Sequence, residues 1–132
     1  MNYLEKWAEN LSTVRSQPLR RTVRVEGIHK AHLGPRMEFA RVEFEAEPAD
    51  RFIAVVRVPG IEADVEKQRF IEWAIFGLLD VVMLAEPSPL KNMRITVLGL
   101  DVDPVDSSMM AFRLAGREAG RRLLEDLRSK GH

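Results

Sequence analysis

The chain has 132 residues, a mass of 15.1 kDa and no cysteine. That excludes disulfides, thiolate metal sites and cysteine nucleophiles, and a chain of this size can build a core without them. Twenty Lys and Arg balance twenty Asp and Glu, which argues against a uniformly cationic nucleic-acid coat, and 45% apolar with 30% charged residues describes a folded domain rather than a disordered one.

The elements follow in chain order. Leu4, Trp7, Ala8, Leu11 and Val14 recur at helical spacing, which predicts a helix over 3–14 within an N-terminal extension of 1–18. Pro18 breaks it. LRRTVRVEGIHK (Leu19–Lys30) alternates and is β-branched, so it reads as a strand. Leu33-Gly34-Pro35-Arg36 is a turn. MEFARVEFEAEP forms the second strand, and FIAVVRV (Phe52–Val58) the third. The period then changes. Asp64 caps a helix with Ile71, Ala74, Ile75, Leu78 and Val82 on one side, ending near Leu84 ahead of Pro87 and Pro89. MRITVL (Met93–Leu98) is the fourth strand. Asp106 or Ser107 caps a last helix ending near Ser129. The expectation is one α+β domain over 1–132. It is a two-layer sandwich with a βββαβα core, a four-stranded sheet and helices on one face.

No cationic start followed by an apolar stretch opens the chain, so no signal peptide is read and the expected location is cytoplasmic. The most apolar run, Trp73–Ala85, is too short for a membrane span and contains Asp80. No membrane contact is expected.

Val105-Asp106-Ser107-Ser108-Met109-Met110-Ala111-Phe112, followed by Leu114-Ala115, resembles the loop-helix signature of domain IV of elongation factor G. Upstream, Pro89-Leu90 with Met93-Arg94-Ile95-Thr96-Val97 resembles that family's proline and following strand. Glu26-Gly27, Gly34, Arg36, Phe39, Val42 and Glu47-Pro48 resemble its first hairpin. The resemblance covers about residues 23–126. It implies a left-handed βαβ crossover, and a translation-associated role through contact with the ribosome or rRNA. It carries no catalysis of its own. No G-x-x-x-x-G-K-[ST] motif occurs in the sequence, so no nucleotide is expected. The sequence departs from the family at both tips. Asp103-Pro104 stands where the family has a histidine, and His32–Glu38 replaces a glycine-rich loop.

Candidate residues fall into two groups. Arg20, Arg21, Arg24, Lys30 and Arg36 form a basic stretch, extended by Arg113 and Arg117 on one face of the last helix. These are the expected RNA contacts, weighed against an edge strand defended by charge. Trp73, Phe76, Leu79 and Met83 lie on a helix that is apolar nearly all round. They suggest cover by the N-terminal helix or by self-association into a homodimer. Asp101, Asp103 and Asp106 lack the glycine and distal glutamate of a calcium loop, and His29 and His32 are too few for a metal site. No catalytic residue, metal or cofactor is expected.

Overall fold

The computed structural model describes residues 4–6 and 15–130. Leu4–Lys6 are helical, and the rest of the helix expected over 3–14 lies outside the described residues. The elements are β1 (Val23–Leu33), β2 (Arg36–Pro48), β3 (Ile53–Val56), α1 (Val65–Val82), β4 (Met93–Asp101) and α2 (Met109–Lys130). A short 3-10 turn, Ile61–Ala63, precedes α1. The sheet order is β1-β2-β4-β3, with β3 parallel to β4 and the other pairs antiparallel. This is the α+β two-layer arrangement that the periodicities predict.

The inward residues of the strands build the core, and the central β4 buries Thr96 as well. Val23, Val25, Ala40, Val42, Phe44, Ala46, Ile95 and Val97 are buried on the helix side. Phe44, Phe52 and Phe112 are almost wholly buried, and each such side chain contributes about 1.5–3 kcal/mol on burial. Phe70 stacks on Phe112 at 4.7 Å between centroids.

Element ends differ from expectation for local reasons. β1 starts at Val23 rather than Leu19, and it reaches Leu33 because the hairpin turn is only Gly34-Pro35. Gly34 has φ 62. A positive φ followed by proline is the pattern of a type II′ turn, which matches the twist of a hairpin. α1 is capped as expected, with Asp64 accepting from the Lys67 amide at 3.0 Å. α2 starts later than expected. Its cap is Ser108, whose Oγ accepts from the Ala111 amide at 3.0 Å, not Asp106 or Ser107. Ser108→Ala is expected to cost about 1 kcal/mol, read from a urea melt.

The two helices run parallel and unusually close. Phe70 meets Phe112, Ala74 meets Gly116 and Leu78 meets Gly120 in step. A Cβ at Gly77 would lie 1.9 Å from the Arg113 carbonyl oxygen, and one at Gly116 would lie 1.9 Å from that of Ala74. Gly27 plays the same part where α2 crosses β1, since a Cβ there would lie 1.9 Å from the Ala115 carbonyl oxygen.

Candidate nucleic-acid interface

β2 pairs with β4 only as far as Arg41 opposite Asp101. The hairpin therefore projects past the end of β4. The loop after β4 folds back onto it. The Phe39 amide donates to the Asp106 carbonyl at 3.0 Å, and Ser107 Oγ donates to the Phe39 carbonyl at 2.7 Å. The same Ser107 oxygen accepts from the Asp103 amide at 2.9 Å. Hairpin and loop thus meet at one end of the sheet.

The acids of that loop are largely occupied. Asp103 Oδ1 accepts from the amides of Val105 and Asp106 at 2.8 and 2.9 Å. Those backbone bonds, Asp106 first, hold its carboxyl below the ordinary value. Asp101 Oδ2 accepts from Arg41 at 3.3 Å. Among the described residues no cluster of His, Cys, Asp or Glu has the geometry to hold a metal.

The basic residues do not share one surface. Arg20 is exposed ahead of β1. Arg21 turns the other way and binds Asp126 of α2, also donating to its carbonyl at 3.1 Å. Arg24 and Lys30 lie on the sheet face away from the helices, where Arg24 Nε donates to Glu45 at 3.1 Å. Arg36 stands at the hairpin turn, exposed, 3.9 Å from Glu38.

Arg113 and Arg117 are directed elsewhere. Both converge on Asp80 of α1. Arg113 donates two bonds at 2.8 and 2.9 Å, and Arg117 one at 3.0 Å. The Arg113 guanidinium also lies 5.7 Å from the Trp73 ring centroid and 5.9 Å from that of Phe76. Burial pushes the Asp80 carboxyl up, but the hydrogen bonds from Arg113 and Arg117 outweigh it and hold it below its ordinary value. These two arginines join the helices instead of lining the surface of β1, which corrects their place among the expected RNA contacts.

The same cluster changes the expected self-association face. Leu79 is completely buried in the core, so it offers nothing to a partner. Trp73, Phe76 and Met83 are half-buried against the core, with Arg113 over the first two.

Two features escaped sequence reasoning. One is the Asp80 cluster, whose signal was a lone acid inside an apolar helix facing an i,i+4 arginine pair. The other is Arg41, which binds Glu26 at 2.6 Å as well as Asp101. The Glu26 hydrogen bond is the main cause of its raised pKa.

No protein-family model matches the chain. Its fold does match a solved structure from Thermus thermophilus, of the protein ttk003000868, with a TM-score of 0.69 at 20% identity. The match covers 84% of this chain and 17% of that protein. At that identity the likeness concerns the fold. No helix among the described residues is long and apolar enough to cross a membrane.

Proposed function

We propose that this chain is a non-catalytic, translation-associated protein resembling domain IV of elongation factor G, contacting the ribosome or another structured RNA through its basic first strand and hairpin. The observation that carries this reading is the union of the two tips by the Phe39–Asp106 and Ser107–Phe39 hydrogen bonds. The resemblance implies that this hairpin and this strand-loop-helix tip are the two RNA-facing tips of the arm. The match to 17% of a longer protein shows the same fold as one part of a larger chain.

The contact residues under this reading are Arg20, Arg24, Lys30 and Arg36. Arg21, Arg113 and Arg117 are held in partly buried intramolecular ion pairs, whereas the pairs of Arg24 with Glu45 and of Arg36 with Glu38 leave those two side chains 65% and 75% exposed. Cosedimentation with ribosomes is expected to weaken as salt rises. Replacing Arg20, Arg24 and Arg36 together with alanine should lower the salt slope by roughly 0.7–0.9 for each phosphate that is no longer neutralised. Equal sedimentation of parent and triple variant at every salt concentration would remove the proposal.

A second reading, a protein-interaction module that kept the fold, draws on the same end. Leu33, Met37, Val105 and Met110 are exposed there. Absence of the parent protein from the ribosome pellet at low salt would favour it.

A further inference from the structure

The strand order leaves β1 and β3 as the two edges of the sheet. The β3 edge is short, four residues, and Glu5 Oε2 accepts from the Ala54 amide there at 3.1 Å. The β1 edge is different. It has eleven residues, contains no proline, and pairs with β2 in unbroken register along its whole length. A long unpaired edge is a template for another strand.

The direction of its free groups can be read. In an antiparallel strand the N–H and C=O of one residue point to the same side. Arg122 Nη1 of α2 donates to the Glu26 carbonyl at 3.0 Å. Glu26 therefore points its backbone groups outward, and so do Arg24, Ile28, Lys30 and His32 by alternation. The side chains of these five residues lie on the sheet face away from the helices.

We propose that β1 pairs antiparallel with β1 of a second copy about a two-fold axis at Ile28, joining two four-stranded sheets into one. Three observations select that partner and register. Ile28 is the midpoint of Val23–Leu33, so this register alone overlaps all eleven residues. It sets Glu26 opposite Lys30 twice, once on each side of the axis. It also sets Ile28, 38% exposed in the single chain, against its own copy. The neighbouring registers are poorer. An axis at Gly27 sets Arg24 against Lys30, and one at Glu26 sets that acid against itself. An axis at His29 sets Ile28 against Lys30. An axis at Val25 pairs Arg24 with Glu26 but overlaps only Val23–Gly27 of the strand.

The Arg122 bond does not bar this arrangement. Arg122 is exposed and bound to Glu118 at 3.3 Å, so it can leave the Glu26 carbonyl to the incoming Lys30 amide. Until then it shields the edge from indiscriminate pairing. The surface is distinct from the half-buried Trp73, Phe76 and Met83.

Sedimentation velocity of the full chain, from micromolar to submillimolar concentration, tests the pairing. The parent is expected to show a monomer–dimer equilibrium. Lys30→Glu sets Glu26 against a glutamate, and Glu26→Lys sets a lysine against Lys30. Each alone should weaken dimerisation about tenfold. An equimolar mixture of the two variants should associate again, because both cross-strand pairs become opposite in charge. Ile28→Pro removes only an outward amide, so it should keep the circular dichroism spectrum and lose the dimer. A parent that is monomeric throughout overturns the proposal. So does a mixture that fails to associate, or a dimer that tolerates Ile28→Pro.

Discussion

Gly116→Ala is expected to destabilise the protein by about 3 kcal/mol or more, although alanine is the better helix former. On an exposed helix the same change would stabilise by about 1 kcal/mol. The sign reverses because of where Gly116 sits. A Cβ there meets the Ala74 carbonyl oxygen at 1.9 Å and its carbon at 2.8 Å. Both are backbone atoms of α1 and cannot rotate aside. The helices would have to separate, and separation would unstack Phe70 from Phe112 and stretch the bonds to Asp80. A urea melt should show a lower midpoint with an unchanged slope. Gly99→Ala is the control. No heavy atom lies within 4 Å of the position its Cβ would take, so its effect should stay within about 0.5 kcal/mol. Equal stability of Gly116→Ala and its parent would show that the helices do not approach this closely.

Asp80→Asn is expected to cost about 2 kcal/mol at neutral pH and progressively less in acid. The substitution keeps the side-chain shape but leaves two guanidiniums half-buried without their counter-charge. The three side chains are 21–36% exposed, so the loss should fall short of the roughly 3–5 kcal/mol of a fully buried pair. The pH dependence follows from the direction of the shift. Asp80 titrates lower in the folded protein than its ordinary 3.8. Its contribution is complete above that ordinary value and disappears as pH falls through the lowered one. The stability gap between parent and variant should therefore be flat from neutral pH to about pH 5 and close below it. A gap that persists unchanged in strong acid would show that the charge of Asp80 is not what holds the helices.

The order of strands and helices was legible because alternation and 3.6-residue periodicity are local properties of the chain. Phe39, Val42 and Phe44 marked β2, and Ile71, Ala74, Ile75 and Leu78 marked α1, before any contact was known. Gly116 and Gly120 inside α2 each cost about 1 kcal/mol against alanine, so the need for a packing reason there is legible in the sequence. Their partner is not, since Gly116 meets Ala74, which lies far away in chain order on another helix. The Ser108 cap was missed because several side chains in Val105–Ser108 can cap, and only the tie of Ser107 to Phe39 decides which is free to do so.

Charge was where sequence and structure parted most. A residue's charge is written in its type, but whether that charge meets solvent depends on what lies opposite. Neutrality in sum argued against a uniformly cationic coat, and the first strand was visibly basic within it. Folding then sent Arg21 to Asp126, Arg24 to Glu45, and Arg113 with Arg117 to Asp80. The sequence by itself determined the α+β layers, the turn at Gly34-Pro35 and the absence of thiol chemistry, because each depends on residue type and local spacing. Only the tertiary structure decided which arginines remain free, which apolar residues of α1 are buried, and that β1 is a long edge. Those depend on pairings between residues far apart in the chain, for which local pattern carries no information.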